Sequence, residues 1–156
     1  MSMNSKQVRM DLVRPVLQAL DPEIPYTLAA ENLILGTIAQ ESRGGTFIKQ
    51  IGGPALGIVQ MEPVTHADHV RWLAERPDLM AKIKQVTKAG FEAGDLVWNL
   101  AYAVAMARVH YRRVPPPLPA PQAVAALADY WKQWYNTPLG AGTVEEFEES
   151  YRLWVR

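Results

Sequence analysis

The chain has 156 residues, the length of one domain, and its sixteen acidic and sixteen basic side chains cancel, so no broad field draws it toward nucleic acid or an anionic membrane. At 49% hydrophobic and 21% charged, it has the composition of a chain that folds around a core, which excludes wholesale disorder. The absence of cysteine excludes disulfide scaffolds, thiolate metal sites and thiol nucleophiles.

The polar N-terminus carries Lys6, Arg9 and Arg14 with no apolar block behind them, so it does not read as a secretory signal. Val8, Leu12, Val16 and Leu20 recur at helical spacing and predict a first helix ending near Asp21 and Pro22, with Pro15 either kinking it or marking its start. Thr27 caps a second predicted helix, which runs through Leu28, Leu35 and Ile38 to about Glu41 and Ser42. The four glycines between Arg43 and Pro54 predict an irregular loop or short hairpin over residues 43–60. Pro63 opens a third helix to about Ala74, and Pro77 a fourth to Ala89.

Asp95 to Arg113 is apolar almost all round and reads as one central, buried helix, with Trp98 in the core. Its most apolar part, Leu96 to Val109, is shorter than the ~20 residues of a membrane span, so no membrane insertion is expected. The proline run from Pro115 to Pro121 reads as a stiff surface connector within a single domain covering 1–156. A helix from Gln122 to Trp134 follows, then a turn from Asn136 to Gly142. Thr143 and Glu146 form a capping box for the last helix, to about Trp154. The expected fold class is mainly α.

No serine sits in a nucleophile elbow, and the glycines form neither a Walker loop nor a dinucleotide fingerprint. Glu41 stands out by position: it ends a helix whose preceding turns (Leu33, Ile34, Leu35, Ile38, Ala39) are apolar, and a glycine-rich loop follows. A carboxyl held against apolar neighbours keeps its proton near neutral pH, as a general acid for a glycosidic oxygen must.

Around it, Gln40, Glu41 and Ser42, then Pro54 to Met61, then Pro63 and Thr65, resemble the lytic transglycosylase branch of the lysozyme-like superfamily, in which Glu-Ser ends a helix, Gly-Leu-Met-Gln follows a loop, and Pro-x-Thr starts the next helix. Trp134, Tyr135 and Asn136 resemble the family's Ala-Tyr-Asn segment, and the resemblance spans residues 28–140. It implies a lysozyme-like helical domain with a glycan groove, a peptidoglycan substrate, and cleavage of the MurNAc–GlcNAc β-1,4 bond without a cofactor or metal. Glu41 would be the catalytic acid, then the base that closes a 1,6-anhydro ring. Ser42, Gly57, Gln60, Met61, Tyr135 and Asn136 would bind or shape the site. Either Tyr130 or Tyr135 takes the orienting role, depending on the alignment.

Glu62 departs from the family pattern, which has an apolar residue there. It is either an acidic start to the third helix or a second carboxylate that activates water, making the protein a hydrolytic muramidase. A non-catalytic glycan-binding virion module is the alternative of a different class. Without a signal, the resemblance points to a phage or prophage enzyme made in the host cytoplasm and released through a holin or carried on the virion, acting as a monomer.

Three other features call for ordinary explanations. Glu62, His66 and His69 share a helical face at a spacing compatible with metal ligation, but a solvated polar face explains them better, and no metal is expected. Lys82, Lys84, Lys88, Arg108, Arg112 and Arg113 outnumber the nearby acids. They are expected to pair with Glu145, Glu146, Glu148 and Glu149, leaving no nucleic-acid surface. Of Trp131 and Trp134, three apart beside Tyr135, one is expected to pack inside and the other to stack on a sugar.

Overall fold

The computed structural model describes residues 1–155 and is mainly helical. Among those residues no strand is present; isolated antiparallel bridges join Lys49 with Leu56 and Leu56 with Met61. The N-terminal run comprises α1 (Ser5–Gln7), a π-helical stretch π1 (Val8–Val13) and α2 (Arg14–Ala19). Pro15 is accommodated by that wide turn. Its ring lacks an amide hydrogen and clashes with the carbonyl four residues back, and the backbone instead bonds five residues back, as from Arg14 N–H to Arg9 O.

Helix α3 (Leu28–Ser42) starts where Thr27 Oγ1 accepts from Ala30 N–H, and it is buried on every side from Ala30 to Ala39. Its Glu31 is fully buried and bonds Arg9, Arg14 and the Tyr26 hydroxyl, which pins the N-terminal run to α3. Those hydrogen bonds outweigh burial and hold the Glu31 carboxyl below its usual range.

Helices α4 (Pro63–Ala74) and α5 (Pro77–Thr87) each begin at the predicted proline. The expected single central helix is broken in two, α6 (Asp95–Trp98) and α7 (Leu100–Arg112). The break falls at Asn99, whose side chain accepts from Tyr102 N–H and donates to the Thr87 carbonyl, and so competes with helix continuation. The same break puts Trp98 on the surface at 70% exposure, contrary to the core position expected of it. Helix α7 is central: Tyr102 to Val109 are all buried, and α2, α3, α4 and α5 pack around it.

The predicted helix from Gln122 divides into α8 (Val124–Trp131) and a second π-helical turn, π2 (Lys132–Asn136). Helix α9 (Val144–Trp154) opens on the capping box of Thr143 and Glu146 and packs on α3 and α8. Its fully buried Phe147 stacks on Trp131, with centroids 5.3 Å apart, and lies over Gly36. A Cβ at Gly36 would come within 2.3 Å of the Phe147 ring, so glycine sets how closely α9 approaches α3. The buried apolar side chains of these segments form one continuous core. Among the described residues no helix is long and apolar enough to cross a membrane.

The basic residues near α7 do not pair with the glutamates of α9. Arg113 bonds Asp68 of α4 at 2.8 Å and Lys82 pairs with Glu23, because α9 lies against α3 and α8 instead.

Candidate active site

The site is built where α3 stops. Arg43 takes the left-handed conformation (φ 52°), and Gly44 N–H bonds back to Ile38 O, a helix-ending turn that leaves Glu41 in the last turn of α3. Ser42 is fully buried: its hydroxyl donates to Ile38 O and accepts from Gly45 N–H. It therefore closes the turn and does not reach the cleft, which corrects its expected substrate-binding role.

The segment after the glycine-rich loop is a tight bend. Leu56 and Met61 exchange both backbone hydrogen bonds, and Ile58 and Val59 drop into the core between them. Gly57 (φ 78°) is needed here on two counts. The conformation disfavours a side chain, and a Cβ would sit 2.2 Å from the Leu96 carbonyl. The close approach it permits is to the backbone of α6, so Gly57 shapes the bend and does not itself line the cleft, which corrects a substrate-binding role for it. Gln60, itself at φ 50°, donates from Nε2 to Gly57 O and stiffens the bend.

The opposite wall is π2 and the loop after it. The Tyr135 hydroxyl donates to the Val59 carbonyl at 2.7 Å and so ties π2 to the bend. Tyr135 also stacks on Tyr111, with centroids 5.3 Å apart, and Tyr111 shares a hydrogen bond with Thr37 of α3. Lys132 donates to Asn136 Oδ1 and Gly140 O, shaping the 137–142 loop. Tyr130 faces elsewhere and donates to the Pro116 carbonyl in the proline-rich connector. Of the two tyrosines the alignment left open, Tyr135 is therefore the one at the site.

These walls enclose a cleft of about 800 Å³ that brings together Glu41, Gln60, Met61, Glu62, Tyr135 and Asn136. Burial pushes the Glu41 carboxyl up to about 7, offset in part by a hydrogen bond from Trp131 Nε1–H to Oε1 at 2.9 Å. The indole is a donor only, so it occupies Oε1 as an acceptor and leaves Oε2 to carry the proton. Glu41 in turn raises the Tyr135 hydroxyl, after the larger effect of burial. Glu62 is the exposed N-cap of α4, but its side chain makes no capping hydrogen bond, so it remains at the cleft edge.

The residue that sequence reasoning assigned otherwise is Trp131. A tyrosine, Tyr130 or Tyr135, was expected to orient Glu41, yet the hydrogen bond to the carboxyl comes from the indole, reached across 90 residues of chain. Position beside the Tyr-Asn segment marked Trp131 as important, but nothing local distinguishes a packed indole from one that also binds a carboxyl. Trp134 is half-buried and lines a neighbouring hollow of about 430 Å³.

His66 and His69 are buried, not solvated as expected: His66 bonds the Tyr102 hydroxyl and His69 bonds His110. Glu62 is exposed on the same helix, so the three do not converge, and no group of acids and histidines suited to a metal ion occurs among the described residues. Comparison with protein-family models, curated proteins and solved structures returned no match to this chain.

Proposed function

We propose that this chain is a peptidoglycan glycosidase of the lytic transglycosylase type, with a lysozyme-like helical fold and Glu41 as its single catalytic carboxyl. The observation that carries this reading is a desolvated carboxyl, pushed up to about 7 by burial, on the wall of a polar cleft of about 800 Å³. The motif likeness around residues 40–65 supports the same reading.

In the first half of the reaction, the proton on Glu41 Oε2 passes to the glycosidic oxygen as the bond to the anomeric carbon breaks. Charge then develops on the sugar as an oxocarbenium ion, next to the newly formed carboxylate. In the second half, that carboxylate takes the proton of the sugar's own 6-hydroxyl while its oxygen bonds to the anomeric carbon. A 1,6-anhydro ring results and Glu41 is again protonated. The Trp131 N–H steadies the carboxylate between the two halves. In this reading the protein reaches the bacterial wall by holin-type release or as part of a virion.

Digestion of purified sacculi followed by mass spectrometry tests the proposal. Anhydro-muropeptides are expected, each lighter by one water than the hydrolysed product. Binding to sacculi with no released muropeptide would overturn the enzymatic reading in favour of a glycan-binding module. A second reading rests on Glu62, which shares the cleft and is not engaged in capping. If it activates water, products are hydrated and Glu62→Gln abolishes release; in a transglycosylase Glu62→Gln leaves the anhydro products in place.

A further inference from the structure

Beside the cleft lies a chain of hydrogen bonds that the reaction above does not use. His110, in the last turn of α7, places Nε2 2.7 Å from the Trp134 carbonyl and Nδ1 2.9 Å from His69 Nε2. His69 places its Nδ1 2.9 Å from Arg113 Nη1, which also bonds Asp68 at 2.8 Å.

Every proton in this chain has one possible position. A carbonyl only accepts, so His110 carries its hydrogen on Nε2 and its Nδ1 is a lone pair. That lone pair requires a hydrogen on His69 Nε2, which leaves His69 Nδ1 to accept from the guanidinium. Both rings are then neutral, each in the Nε2–H form. A second proton on either ring would point at another N–H in a buried place. The charged and titratable groups around the pair are Asp68 and His66 from α4, Arg113 after α7, Tyr111 from α7 and Tyr135 from π2. Burial pushes both rings down, His69 to about 3.

The carbonyl that His110 holds belongs to π2, a turn whose wide geometry leaves backbone groups to be satisfied from outside. Its ring also packs on Tyr135, with centroids 4.6 Å apart, and it lines the cleft with Glu41. We propose that His110, fixed in one neutral tautomer by His69, is a positioning residue that sets the π-helical turn carrying Tyr135 and Asn136 against the substrate cleft. The tautomer follows from the hydrogen bonds alone, whereas the effect on turnover rests on the reading of Glu41 as the acid.

Nitrogen-15 NMR of the wild-type protein tests the first part directly. The expected spectra show His69 and His110 neutral and in the Nε2–H form between about pH 5 and pH 8, where an unconstrained imidazole titrates. A protonated ring, or an Nδ1–H form of His110, overturns the proposal. His110→Phe and His110→Gln test the second part. The phenyl ring keeps the packing but leaves the carbonyl without a donor, whereas glutamine restores a donor.

His110→Phe is expected to raise KM on sacculi about tenfold, a factor worth 1.4 kcal/mol, with the basic limb of the pH profile unmoved. His110→Gln should recover most of that loss. An unchanged KM in His110→Phe, or no recovery in His110→Gln, overturns the positioning role. If the wild-type protein releases no muropeptide, affinity for sacculi replaces KM, and the same pattern of loss and recovery decides.

Discussion

Replacing Glu41 with glutamine separates the physical state of the site from its chemistry. In the folded chain burial moves this carboxyl from an ordinary 4.5 to about 7. The folded state therefore holds the proton more tightly than the unfolded state. The stability linked to that proton is fully present below pH ~4.5, is lost as pH rises through about 7, and amounts to about 3 kcal/mol. Glutamine is neutral at every pH and keeps an oxygen to accept the Trp131 N–H.

The variant should thus melt with the wild type near pH 4 and above it at pH 8, by about 6–12 °C for a domain of this size. Activity should move the other way, falling by at least about 10²-fold, because a general acid contributes roughly 10²–10⁴-fold. Calorimetry at the two pH values and turbidity clearance of sacculi provide both readings. Equal melting temperatures at pH 8 would show that the carboxyl is solvated in the folded chain and would end its assignment as the acid. A stability gain with full activity would show a desolvated carboxyl that does not take part in the reaction.

Four further substitutions bear on the scaffold of the site. Trp131→Phe removes the donor to Glu41 Oε1 and keeps the ring against Phe147, so the basic limb of the pH–activity profile should rise by about one pH unit, with about 1–2 kcal/mol lost on chemical denaturation. Tyr135→Phe leaves the Val59 carbonyl without its hydroxyl donor and should cost about 1–2 kcal/mol together with a raised KM. Tyr130→Phe, which loses only a bond to the connector, should leave KM unchanged, so a larger kinetic effect from Tyr130 would reverse the assignment. Gly57→Ala combines a left-handed conformation with a contact of 2.2 Å to the Leu96 carbonyl and should destabilise by about 2–4 kcal/mol, seen in a urea melt.

Features whose causes are local were legible in the chain. The Thr27 cap, the prolines that open α4 and α5, and the Thr143–Glu146 box all act within one helical turn, and the helices start where these residues stand. Glu41 was legible for a similar reason: an apolar run leading into a glycine-rich turn already implies a carboxyl at a buried helix end. Misreadings arose where a local rule met a stronger neighbour. Apolar character from Leu96 to Val109 suggested one helix, yet the Asn99 side chain reaches the Thr87 carbonyl twelve residues earlier and stops it, turning Trp98 out. Charge alone suggested partners for Arg113 on α9, but α9 docks on α3 and α8 and leaves Asp68 to take that role.

From the sequence by itself came the helical class, most helix starts and the position of the candidate acid, because periodicity, caps and breakers act over a few residues. Tertiary structure decided which groups surround that acid. The indole on Glu41, the choice of Tyr135 over Tyr130, and the burial of His69 against His110 all join residues 41 to 90 positions apart. Such pairings depend on how α3, α4, α7 and π2 pack around one core, and a hydrogen bond formed by packing leaves no periodic trace in the chain that makes it.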